Sequence, residues 1–327
     1  MKRRDFMTLM GGAASAALPR GARGASSIPV IGYLSGRPSD EAGYLVEAFE
    51  KGLRAGGIVI GQNAAFEFRW ADNQYDRLPA NAADLVNHRV AVIVASGAVQ
   101  SIRAAGAATS SIPIVFVTGD DPVRLGLVAS MNRPGGNLTG VSFLTQSLEA
   151  KRLNILHQLL PKTARIAILA NRKNPSSERQ LKEASDAARS LDRQLDVLNV
   201  SDDADIEGSF STLMERGNGA VTITADPFLN SHRAQIVALA GQYKVPAFFY
   251  TREQAVAGGL MSYGASIPEA YTQAGGYAAR ILKGEKPADL PILQATKFEF
   301  IINLKTARAL GLDIPPTLLA LADEVIE

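Results

Sequence analysis

The chain has 327 residues, 46% hydrophobic and 20% charged, an ordinary globular composition long enough to bury two cores. Its 34 basic and 32 acidic residues nearly cancel, so no dense basic field exists for a phosphate backbone, and nucleic acid is not an expected partner. It has no cysteine, which excludes disulfides, thiolate metal sites, a cysteine nucleophile and a lipid-modified N-terminal cysteine.

Residues 1–25 read as an export signal. Lys2-Arg3-Arg4-Asp5-Phe6-Met7 is a basic start, Phe6 to Leu18 is a weakly apolar stretch broken by Gly11 and Gly12, and Ala22-Arg23-Gly24-Ala25 supplies a small-residue cleavage site. The arginine pair resembles a twin-arginine signal. With the signal's five basic residues and one acidic residue removed, 29 basic face 31 acidic residues, a mature charge of −2. No later segment reaches the roughly 18 unbroken apolar residues of a membrane span. The mature chain is therefore expected to be soluble, without a membrane span or lipid anchor, and retained in a periplasm.

Short apolar runs then alternate with helical periodicity. Strands are expected at Ile28 to Leu34, at the alternating Phe66, Phe68 and Trp70, at Val90 to Ala95 and at Ile112 to Val117. Helices are expected between them at Tyr44 to Leu53, Leu78 to Val86 and Ala98 to Thr109, with another from Pro122 to Val128. The order repeats with strands at Ile166 to Ala170, Leu195 to Val200, Ala220 to Thr224 and Val245 to Phe249. Helices fall between these at Ser176 to Leu191, Asp205 to Arg216 and Leu229 to Tyr243. The two series are offset by about 130 residues, which points to two structural copies rather than a short solenoid repeat.

Such alternation predicts an α/β protein of two Rossmann-like, doubly wound parallel-sheet lobes. A tail follows: a helix from Ile267 to Leu282 ended by Gly284, a strand from Phe298 to Asn303, a helix from Lys305 and a Pro315-Pro316 turn. Thr139 to Phe143, Leu260 to Gly264 and Phe298 to Ile302 are candidate crossings of a multi-stranded hinge. The expected N-terminal lobe is 28–140 plus 265–296, and the C-terminal lobe 141–264 plus 297–327. This is the architecture of a type I periplasmic binding protein.

In open parallel sheets ligands bind beyond the carboxyl ends of the strands. On lobe one those turns carry Ser35, Ser96, Gly97, Thr118 and Asp120, whose hydroxyls and helix-start N–H groups suit a carboxylate. On lobe two, Asp226 and Glu253 could take an ammonium, and Phe228, Tyr250 and Tyr263 could cover an apolar side chain. The set reads as a clamp for a zwitterion, an amino acid by expectation. Each polar member has a plainer role as a helix cap. Asp120-Asp121-Pro122 reads first as a turn and cap, and Gly135-Gly136 is a turn rather than a phosphate loop. His88, His157 and His232 show no ligand spacing, so neither a metal nor a cofactor is expected.

Several segments are familiar as a set: Ile112-Pro113-Ile114-Val115-Phe116, Asp121 to Val128, Asn132 to Val141, Gly258 to Gly264, and the ending from Lys297 through Ile326. Over the whole mature chain they resemble the ABC transporter substrate-binding proteins of tryptophan/tyrosine-binding type. The resemblance implies a small-molecule ligand, partnership with an ABC permease and its ATPase, and no catalysis. Capture by hinge closure, as a monomer, is the expectation. The alternative is a sensory module that feeds a signalling receptor. An exported enzyme is disfavoured because no base–nucleophile pair stands in the turns. A DNA-binding regulator is excluded by the signal and the missing helix-turn-helix.

Overall fold

A computed structural model describes residues 28–143, 148–295 and 297–327. The expected export signal lies outside the described residues. Two parallel sheets carry the chain, each built where β-branched and aliphatic runs bury both faces. The first orders its strands β2 (Ala65–Trp70), β1 (Val30–Ser35), β3 (Val92–Ser96), β4 (Ile114–Thr118), β5 (Leu138–Ser142) and β11 (Leu293–Gln294). The second orders β7 (Gln194–Val200), β6 (Arg165–Asn171), β8 (Val221–Ile223), β9 (Ala247–Phe249), β10 (Met261–Ala265), β12 (Phe298–Asn303) and β13 (Glu324–Ile326). The leading five strands of each sheet follow one 2-1-3-4-5 order, the doubly wound arrangement that opens a crevice where the order reverses. Only the β10–β12 pair is antiparallel among the pairs described.

Three segments expected to cross between lobes instead belong to sheets: β5 to the first, β10 and β12 to the second. Each is apolar enough to be buried within a sheet, so the chain crosses beyond their ends. It passes from β5 to helix α4 (Glu149–Leu159), from β10 to α10 (Ile267–Leu282), and from β11 to β12. A second correction concerns Pro122 to Val128, which is a looped turn rather than a helix. Asp121 Oδ1 accepts from the N–H groups of Val123 and Arg124 at 3.0 and 3.1 Å, and Gly126 then takes φ +69°, which stops helical propagation. The expected helix over Leu229 to Tyr243 is two helices, α7 (Pro227–Ser231) and α8 (Arg233–Gln242), and a further short helix, α9 (Arg252–Val256), follows β9.

Helix α10 returns to the first lobe and packs on α1 (Ser39–Ala55). Leu45, Phe49, Gly52 and Leu53 recur on one face of α1 and meet Ala270, Tyr271, Ala274 and Ala278 in a shared core. The crossing is close because glycines face it. A Cβ on Gly275 would lie 2.0 Å from Phe49 O, and one on Gly52 would lie 1.9 Å from Thr272 O. Gly275→Ala is therefore expected to push the helices apart and cost about 1–3 kcal/mol, read as a lower thermal midpoint with an unchanged circular dichroism spectrum at room temperature.

Candidate ligand site between the lobes

The carboxyl ends of β1, β3 and β4 face lobe two across a narrow cavity. Its polar end is built by three turns. After β1 the chain turns through Ser35-Gly36-Arg37, and Ser35 Oγ accepts from the Arg37 N–H at 3.1 Å. After β4, Thr118 Oγ1 accepts from the Asp120 N–H, also at 3.1 Å. Both hydroxyls thus shape their own turns. After β3, Gly97 takes φ +80°, and residues 97–100 line the cavity at the start of α3 (Val99–Ala108), whose first turn no side chain caps. A Cβ at Gly97 would stand 2.8 Å from Ser35 Oγ and 3.1 Å from Arg37 Cγ, so the arginine stem passes over a position only glycine leaves open.

Arg37 dominates this end. It is 4% exposed, lines the cavity, and donates from Nη1 to Pro227 O of lobe two at 3.3 Å. Among the described residues no carboxylate forms an ion pair with it, and its Nε has no hydrogen-bond partner. Burial works against its charge, but the phenols of Tyr44, Tyr250, Tyr271 and Tyr75 outweigh that, and the guanidinium is held firmly protonated. Asp120 supplies the carboxylate of the lining, 3% exposed, with Oδ1 accepting from Ser176 Oγ at 2.6 Å and Arg179 Nη2 at 3.1 Å across the cleft. Burial raises its pKa above the usual carboxylate value, against the lowering effect of Ser176 and Arg179. Tyr75, Val117, Phe143, Ile267 and Tyr271 form the apolar and aromatic walls, and Asn174 and Pro227 close the lobe-two side.

Further contacts join the lobes around the cavity. Gln100 Nε2 donates to Lys173 O at 3.3 Å, Asn230 Nδ2 to Tyr44 Oη at 3.4 Å, and Arg233 pairs with Glu41 at 3.1 Å.

Of the residues singled out from sequence, Gly97, Thr118 and Asp120 line the cavity. Ser35 and Ser96 lie buried beneath its floor. The lobe-two set is placed elsewhere. Asp226 caps α7, accepting from Leu229 N at 2.9 Å, and its carboxylate also takes Asn171 and Asn174 amides at 3.2 and 2.7 Å. Those bonds occupy the carboxylate, and burial raises its pKa. Tyr250 Oη donates to Asp226 O at 2.6 Å, so its ring packs behind the wall. Phe228 packs on His232, its ring centroid 4.2 Å away, and faces a different cavity. Glu253 is half-buried on α9, away from the lining. Tyr263 stacks with Phe298 at 6.2 Å on the β10–β12 pair, while its carbonyl accepts from Arg152 at 3.2 Å. Arg152 in turn pairs with Glu149 fully out of solvent.

The residues that sequence patterning passed over are Arg37, Tyr75, Phe143, Ile267 and Tyr271. Arg37 stands two residues after Ser35 in the same strand-end turn. Ile267 and Tyr271, four apart on one face at the start of a helix that follows a crossing, carry a readable signal, because that end must face the cleft.

Two parallel-sheet lobes of one topology, joined by three crossings and meeting over a cavity at their strand ends, define the type I periplasmic binding protein fold. The chain belongs to the ABC transporter substrate-binding protein family, whose model matches residues 27–326. It is similar to a tyrosine-binding protein of Clostridioides difficile, 27% identical over 266 residues that make up 81% of this chain and 76% of that one. Two solved structures share the fold: a conserved domain protein from Vibrio cholerae (TM-score 0.83, 24% identity, 91% of this chain and 99% of that one) and an ABC domain in complex with L-Trp from Streptococcus pneumoniae (TM-score 0.81, 24% identity, 92% and 100%). No described helix is long and apolar enough to cross a membrane.

Proposed function

We propose that this chain is exported to the periplasm, closes its two lobes on an amino acid with an apolar or aromatic side chain, and presents it to an ABC permease and its ATPase. The observation that carries this reading is Arg37, a buried cation on the cavity lining that no carboxylate meets in a direct ion pair among the described residues, with buried Asp226 near enough only to feel its charge. A charge withdrawn from water costs several kcal/mol unless an opposite charge meets it, and a planar guanidinium is shaped for a carboxylate. The uncapped start of α3 adds N–H groups to the same end. Asp120 is the complement for an ammonium, and Phe143 and Tyr271 for the side chain. The tyrosine-binding relative and the L-Trp complex agree with that chemistry. Ligand contacts to residues on both lobes give the differential affinity that hinge closure needs.

Denaturing protein purified from the periplasm and identifying released small molecules by mass spectrometry, then screening amino acids by thermal shift, tests the proposal. A stoichiometric amino acid that raises the melting temperature is the expected result. A ligand without a carboxylate would remove Arg37 from its assigned role.

A further inference from the structure

A second, more open cavity lies between the lobes beside the first. Residues 72–75 form its lobe-one side, and Lys173, Phe228 and His232 are among those facing them from lobe two. Tyr75 lines both cavities, the one residue they share. Resting on the amino-acid reading above, we infer that Tyr75 sets the length limit of the ligand. Its ring walls the chamber beside Arg37, so a single amino acid is held and a ligand prolonged through its carboxylate end, such as a dipeptide, is refused.

The wall is fixed from below. A Cβ on Gly36 would meet Tyr75 Cε1 at 3.2 Å, so the ring lies against the strand-end turn that also carries Arg37. Asp72 and Asn73 take φ of 50° and 61° just before it, and Asn73 N donates to Gly36 O at 2.8 Å, which locks the approach of the chain. The ring itself is held by packing: among the described residues its hydroxyl makes no hydrogen bond. The space beyond is large enough for a second residue. Its lining is polar: Lys173, which donates to Ser201 O at 3.0 Å, stands there beside Asp72, Asp202 and Asp203, the last paired with His232. Removing the ring joins the two cavities at the end where the carboxylate is expected.

The test is calorimetry of tyrosine, tryptophan and leucine against tyrosylglycine and leucylglycine, on the parent, Tyr75→Ala and Tyr75→Phe. The parent is expected to prefer the free amino acid over its dipeptide by at least a hundredfold. In Tyr75→Ala that ratio is expected to fall at least tenfold, whereas Tyr75→Phe, which keeps the ring, holds the parent's ratio. If Tyr75→Ala loses its melting transition, Tyr75→Val removes the ring while keeping an apolar contact and carries the same expectation. An unchanged ratio in the folded variant, or a parent that already binds dipeptides as well as amino acids, overturns the inference while leaving the amino-acid site standing. A parent that binds no amino acid overturns the amino-acid reading, and this inference with it.

Discussion

Arg37→Met is expected to weaken amino-acid binding at least a hundredfold while leaving the ligand-free protein as stable as its parent or more so. A hundredfold is about 2.7 kcal/mol, within the ~2–5 kcal/mol lost when one partner of a buried, hydrogen-bonded charge pair is removed. The opposite sign for the free protein follows from the same burial. Without ligand, the guanidinium is out of water with a 3.3 Å bond to Pro227 O and no ion pair among the described residues. Methionine fills much of the arginine stem's space over Gly97 and carries no charge to desolvate. Calorimetry and a melting curve on the same preparation read the two effects. A purely structural arginine would give the reverse pattern, a lower midpoint with affinity kept, and that pattern would take Arg37 out of the site. Arg37→Lys should fall between, because an ammonium keeps the charge but not the bidentate geometry.

The lobes were legible in the sequence because their signal is redundant. Runs such as Ile166 to Ala170 and Val92 to Ser96 are buried on both faces, so hydrophobicity alone marks them as parallel strands. The 2-1-3-4-5 order repeated in both sheets is the spatial form of the offset between the two series of strands. Elements with weaker patterns escaped. Helix α4 buries a charged pair, Glu149 and Arg152, among its apolar residues, and so breaks the contrast on which helical periodicity depends. Strands β11 and β13 span two and three residues, too few for any period to show.

The site divided along the same line. Strand-end turns locate the polar end of a cleft from topology alone, and Gly97, Thr118 and Asp120 lie on its lining. What a side chain does within a turn depends on partners far along the chain. Asp226 and Asp120 both follow strands, are both buried and both accept hydrogen bonds, Asp226 from Leu229, Asn171 and Asn174 and Asp120 from Ser176 and Arg179, yet only Asp120 lies on the cavity lining. Residues 55 or 52 positions away from Asp226 decide that difference, and no local pattern reports them. Tyr75 and Tyr271 escaped for a related reason: a ring that walls a cavity has the same local signature as a ring in a core.

Asp120→Asn is expected to weaken amino-acid binding at least tenfold at neutral pH and to flatten its pH dependence. In the parent, burial holds the Asp120 carboxyl above the ordinary range against the opposing pull of Ser176 and Arg179, with Asp121 adding a smaller upward push. An ammonium needs the ionised form. Affinity should therefore fall as pH is lowered from neutral, and begin to fall at a higher pH than an ordinary exposed carboxylate, titrating near 4, would set. None of the three histidines lines this cavity. Stability has its own sign. A carboxyl with a raised folded pKa binds its proton more tightly folded than unfolded, so its contribution is greatest below the unfolded pKa and declines as pH rises through the folded one. The asparagine variant escapes that decline, and its ligand-free midpoint should match or exceed the parent's at neutral pH despite the lost pairing with Arg179. Calorimetry across that pH range separates the two roles Asp120 can have. A tenfold loss with the slope abolished places it against the ammonium. Equal affinities and equal slopes would make it a bridge between lobes through Ser176 and Arg179, with the ligand's amine held elsewhere.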